Sequence, residues 1–255
     1  MLRILFLLIV LLIVALTTWQ DRYRSTRWRE PLYVAIYPID ADNSAATKAY
    51  LAALDAATFD PLHEFFMREA QRYRLNTLEP VKVRLRPQLH SSPPRRAPSA
   101  GILATALWSL KLRYWAWRVS GHAGEPEDIR IFVLYHDPDL TPTVPHSLGL
   151  TKGLIGVVYA FAARDMNGAN NVVIAHELLH TVGASDKYIP GNVAPRFPDG
   201  YGNPQQVPLY PQRTAELMAG RRMLAPDRWE QADSLDEVLI GPATALEIKW
   251  LQHAH

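Results

Sequence analysis

No cysteine occurs anywhere in the 255-residue chain. Disulfides and thiolate ligands are thereby excluded, so a metal site would have to be built from His, Asp or Glu. Charge of one sign is not in excess either. Lys and Arg number 27 against 25 Asp and Glu, and a net charge of +2 provides no broad electrostatic footprint for nucleic acid. No internal repeat is evident. What remains, 48% hydrophobic and 20% charged residues, is the profile of a globular protein. The length suffices for one domain with a sizeable core, or for one domain plus a small subdomain.

One strongly biased segment stands out. "ILFLLIVLLIVAL" (Ile4 to Leu16) is unbroken apolar sequence, and Thr17, Thr18 and Trp19 lead from it to Asp21. Its length falls between a signal-peptide core and the roughly 17–25 residues of a spanning helix. Ala15 and Thr17 occupy the small-residue positions of a poor cleavage site, and Trp19 is placed as an interfacial anchor. The expectation is a single-pass transmembrane anchor over residues 1–20, held in the membrane through residues 4–19, with a signal-like, cleaved segment as the alternative. A basic linker, residues 21–31, follows it.

Beyond Pro31, "LYVAIYPI" (Leu32 to Ile39) is β-branched and aromatic, a strand pattern. Ser44 is placed to cap a helix over 45–57, and Asp60-Pro61 opens another with Phe65, Phe66, Ala70 and Tyr73 on one side. "VKVRLR" (Val81 to Arg86) alternates like a half-exposed strand. A proline-rich loop then precedes a helix over 100–119. There Leu103, Leu107, Leu110, Tyr114 and Trp117 recur at helical spacing, which reads as the face packed on a sheet. "IRIFVLYH" (Ile129 to His136) is a buried strand, and "SLGLTKGLIGVVYAFA" reads as two short strands turning at Lys152-Gly153. Asn170 or Asn171 can cap the next helix. The C-terminal third is loop-rich, and a last helix opened by Gly241-Pro242 runs through Leu251. The order implies an α/β or α+β fold with a mixed sheet.

The chemistry is concentrated in "HELLHTVGASD". His176 and His180 stand one turn apart on one helix face, as chelation of a single ion requires, and Glu177 lies beside them as a candidate general base. Gly183 follows His180 by three residues and permits a left-handed reversal, which brings Asp186 back toward the histidines as a third ligand. Chance expectation for the extended pattern is below roughly 10⁻⁴ per chain of this composition. Glu216 competes for the third position, and the spacing favours Asp186. His63, His90, His122, His253 and His255 read as surface residues, and His136 and His146 as loop packing.

This stretch resembles the metzincin metalloproteases, in the subset with aspartate as third ligand. The resemblance implies a zinc ion on His176, His180 and Asp186, and Glu177 as the catalytic base. It also implies a twisted sheet of about five strands whose antiparallel edge strand aligns extended peptide. Ser147, Leu148 and Gly149 would belong to that edge, and Tyr188 is a candidate donor to an oxyanion. A methionine turn beneath the metal would be Met218, within "TAELMAGRRM". A catalytic subdomain over 32–183 and a C-terminal subdomain over 184–255 follow from that layout. The implied function is a zinc-dependent endopeptidase acting on peptide or protein substrates. The alternatives are a zinc hydrolase of a non-protein amide and a membrane-tethered binding or assembly module. Arg22, Arg24, Arg27 and Arg29 favour a cytoplasmic domain, whereas hydrolases with such leaders are usually exported, so the side of the membrane stays open. Oligomeric state is not legible.

Overall fold

Strand β1 (Leu32–Asp40) is apolar at nearly every position because both of its faces are covered. Its Leu32, Val34 and Ile36 point into one core layer, and Ala35, Tyr37 and Ile39 into another. The structure, a computed structural model, describes residues 27–95, 101–120, 127–145, 147–150 and 154–252. The expected anchor at 1–20, most of the linker, His122, His146, His253, His255 and the Lys152-Gly153 turn lie outside the described residues.

β1 is an interior strand of a five-stranded mixed sheet with β2 (Val81–Leu85), β3 (Ile129–His136), β4 (Leu148–Leu150) and β5 (Ile155–Phe161), in the order β2-β1-β3-β5-β4. Four strands run parallel, while β4 pairs antiparallel to β5 at the edge, Gly149 opposite Gly156. One face carries helices α1 (Ala45–Ala52), α2 (Asp60–Arg72) and α4 (Asn167–Thr181). The other face is covered by α3 (Ile102–Val119).

Three helix expectations are revised. Ser44 does cap α1, accepting from the Thr47 amide, but the helix stops at Ala52 and a 3₁₀ turn, Ala56–Phe59, begins anew on Asp55. α4 starts at Asn167 without a side-chain cap. Asn170 instead pairs its amide with the N–H and carbonyl of Phe161, and Asn171 donates to Thr58, so both side chains tie the helix to neighbours. In α3 the stripe of Leu107, Leu110, Tyr114 and Trp117 points to solvent, and Leu103 lies outside the described side chains. The sheet is met instead by Leu112 and Ala116, with Trp108, Trp115 and Val119 beside them. α3 is apolar on two faces, and period alone cannot tell which is inward.

The C-terminal region is more ordered than its prolines imply. A small sheet of β6 (Ala215–Glu216), β7 (Arg221–Ala225), β8 (Arg228–Gln231) and β9 (Val238–Leu239) follows the loops, and α5 (Pro242–Glu247) ends earlier than expected. Ala215, Leu217, Met218, Val238 and Trp250 join the same core as β1 and α4, so both expected subdomains share one apolar interior. Trp28, inside the range read as linker, is buried there too, edge-on to Trp250 and donating to the Ile248 carbonyl at 2.7 Å.

Candidate metal centre

The site begins with how α4 ends. The Gly183 amide bonds the His180 carbonyl and the Ala184 amide the Leu179 carbonyl, a Schellman closure with Gly183 at φ +111°. That reversal sends the chain back along the helix, so Asp186 arrives beside the two histidines. Asp186 Oδ1 lies 3.2 Å from His176 Nε2 and 3.0 Å from His180 Nε2, and the two Nε2 atoms are 3.0 Å apart.

The other ring nitrogens are already engaged. His176 Nδ1 meets the Leu217 carbonyl at 3.0 Å and His180 Nδ1 the Ala184 carbonyl at 2.9 Å. Carbonyls only accept, so each Nδ1 carries the proton, and in the neutral rings each Nε2 presents a lone pair. Two lone pairs and a carboxylate oxygen therefore converge on one point. Asp186 Oδ1 is buried with no hydrogen-bond donor of its own. The donors fit a cation: the three atoms can hold a metal ion, and their separations suit bonds of about 2.0–2.1 Å. All three side chains keep partial exposure, which leaves one side open to a reactant.

Electrostatics agree with that reading. Burial works against ionisation of Asp186, yet His176 and His180 outweigh it and hold its pKa well below the ordinary carboxylate range. Burial likewise disfavours a charged His180, but Asp186 and Glu177 raise its pKa overall. A metal ion would take the place of the proton drawn there. Glu177 is 5% exposed, and burial raises its pKa against the pull of His176 and His180. Its Oε2 is buried without a hydrogen-bond partner.

Gly149 stands at the same point from the sheet side. A Cβ there would lie 2.5 Å from His180 Cβ and 2.6 Å from the Glu177 carbonyl, so the edge strand passes in backbone contact with α4. Leu148 is half-buried beside it. Ser147 turns its hydroxyl to accept from the Tyr159 amide and so terminates the pairing of the edge.

Beneath the histidines, Leu217-Met218-Ala219-Gly220 forms a tight turn. Met218 is fully buried, and its carbonyl accepts from the Lys187 amide at 3.0 Å. Gly220 closes the turn at φ +65°. Glu216, the competing ligand, is committed elsewhere. Its Oε1 accepts from the Gly241 amide and the Thr244 hydroxyl, and its Oε2 from the Ala219 amide. It holds the turn that supplies the Leu217 carbonyl to His176.

Lys187, which has no role in the sequence pattern, acquires one, and Tyr188 is placed beside the site. Lys187 is 1% exposed, with its ammonium donating to the Ser185 carbonyl, the Ser185 hydroxyl and Glu247 Oε2 at 2.7 Å. Glu247 also accepts from the Ser185 amide and hydroxyl, so α5 braces the loop that carries Asp186. No local signal could have shown this, because Glu247 and Lys187 are 60 residues apart. Tyr188 is half-buried, and burial followed by the Asp186 and Glu177 carboxylates pushes its phenol up to about 12. It therefore stays protonated and able to donate. Of the outlying histidines, His63 contacts the Val81 carbonyl, and His136 closes β3 against Tyr159; neither belongs to the metal group. No protein-family model and no curated protein matches the chain.

Proposed function

We propose that this protein is a zinc-dependent endopeptidase of metzincin type, with His176, His180 and Asp186 as ligands and Glu177 as general base. The observation that carries the proposal is the convergence of two imidazole lone pairs and one carboxylate beside a buried glutamate oxygen that has no partner. A purely structural ion has no use for such a glutamate. Zinc suits the donor set, two imidazoles and a carboxylate with an open side, and when bound would polarise a carbonyl and lower the pKa of its water to about 7.

The chain's own residues do the rest. Glu177 takes a proton from the attacking water and returns it to the leaving amine, a role its raised pKa suits. Edge strand β4 has its outer side unpaired by any described strand, and extended peptide would add to it across from Glu177. The Tyr188 hydroxyl, hydrogen-bonded to Asp186, would turn to donate to the carbonyl oxygen as charge develops there.

The test is to purify the full chain, measure bound zinc, and compare cleavage of a peptide library with a Glu177→Gln variant. Zinc retained with activity reduced by roughly 10²–10⁴-fold supports the assignment. Zinc bound without cleavage of any peptide by the unaltered protein overturns the endopeptidase reading. Zinc retained by Asp186→Ala overturns the ligand set.

A further inference from the structure

Helix α3 has two apolar faces, one packed on the sheet and one largely exposed to solvent. Leu112 and Ala116 are fully buried on the sheet, whereas Leu107, Leu110, Tyr114 and Trp117 are 52%, 55%, 61% and 57% exposed. At about 100° per residue these four fall on a single stripe opposite the packed face, over about 15 Å of helix. Arg113 borders the stripe on one side, Lys111 and Arg118 on the other. The helix sequence, ILATALWSLKLRYWAWRV, contains no acidic residue.

We propose that α3 is an interfacial helix lying on an anionic phospholipid bilayer. Leu107, Leu110, Tyr114 and Trp117 would sit at the boundary of headgroups and acyl chains, and Lys111, Arg113 and Arg118 on lipid phosphates. Leucine with tryptophan and tyrosine on the inserted stripe, and basic residues along its margins, is the composition such helices require. α3 lies on the membrane rather than across it: no described helix is long and apolar enough to cross.

Charge decides among the possible occupants. A second copy docked stripe to stripe would set Arg and Lys against Arg and Lys, at a cost that no acidic residue of α3 relieves. The chain's own apolar run, Ile4 to Leu16, carries no acid and would leave the three cations without counter-charge. An anionic lipid surface satisfies both the stripe and its margins. Each basic residue near such a surface strengthens adsorption about fivefold, so three contribute roughly 100-fold. The inference is independent of the metal site.

The absence of cysteine makes the test direct. Tyr114→Cys and, as a control on an exposed hairpin turn, Asp227→Cys are made in the full chain and labelled with an environment-sensitive fluorophore. Both are reconstituted into equimolar phosphatidylcholine and phosphatidylglycerol vesicles containing nitroxide lipids. The expected result is blue-shifted emission at position 114, quenched by the nitroxides several-fold more than at 227. Both effects should fall away in pure phosphatidylcholine and in a Lys111→Gln, Arg113→Gln, Arg118→Gln variant. A blue shift without nitroxide quenching overturns the proposal, because protein then covers the stripe. Dependence on the protein-to-lipid ratio would identify that cover as a second copy, and independence as the chain's own segment. Equal quenching in pure phosphatidylcholine, or no shift at all, also overturns it.

Discussion

Gly183 sits at φ +111°, a region that costs a residue with a Cβ about 1–2 kcal/mol. Nothing crowds the position, since a Cβ there would find its nearest neighbour, the Glu247 carbonyl, at 3.8 Å. Gly183→Ala should therefore lose stability by roughly that amount through backbone strain alone. Zinc affinity should weaken with it, because the reversal delivers Asp186; denaturant titration and a competitive zinc assay read the two effects. Lys187 and Glu247 offer a second test. Removing Glu247 leaves a nearly inaccessible ammonium with only Ser185, and Glu247→Ala should cost about 2 kcal/mol, below the ~3–5 of a fully buried pair because Glu247 is partly exposed. Adding Lys187→Met should recover part of that loss. Glu247 is held below its ordinary pKa by Lys187 and Ser185, which outweigh its burial. A depressed folded pKa stabilises above the unfolded value, about 4.3, and that contribution is lost as pH falls through the folded one. The Tm gap between the unaltered protein and Glu247→Gln should thus be constant from neutrality to about pH 5 and close below it.

At the scale of elements, the site is an agreement among three: α4, edge strand β4 and the Met218 turn. β4 touches α4 through Gly149, where a Cβ would stand 2.5 Å from His180 Cβ and 2.6 Å from the Glu177 carbonyl. Backbone cannot yield cheaply, so Gly149→Ala must push the edge strand outward. We expect peptide cleavage to fall much further than Tm, with zinc content nearly unchanged; an equal fall in zinc content would show that the shift reaches the ligands. Much here was legible in sequence. The two histidines, Glu177, Gly183 and Asp186 carry their geometry in their spacing, since helix period and a left-handed cap are local facts. The same period misled at α3, because a helix apolar on both faces does not announce which is buried. Asn170 and Asn171, read as candidate caps, instead spend their amides on Phe161 and Thr58, partners that no local pattern names.

For the whole molecule, the single core has consequences for metal removal. The Asp186 loop, the Met218 turn and α5 are joined through the Lys187 amide, Glu216 and Glu247, so release of an ion held at the proposed site should be felt as global stability. At free zinc one hundred times its dissociation constant, linkage predicts about 2.7 kcal/mol of stabilisation over the chelated protein. A chelator should lower Tm and added zinc restore it; an unchanged Tm in protein shown to have bound zinc would contradict the ligand geometry.

The sequence by itself determined the helix that carries His176 and His180, its glycine reversal, the absence of thiolate chemistry and the succession of strands and helices along the chain. All of these depend on residues within a few positions of one another. Only the tertiary structure decided that Glu216 braces a turn outside the His176, His180 and Asp186 group, that Lys187 answers to Glu247, and that α3 presents its aromatic stripe outward. Those outcomes depend on which surfaces meet across the core, and burial is a property of the assembled chain that no local spacing encodes.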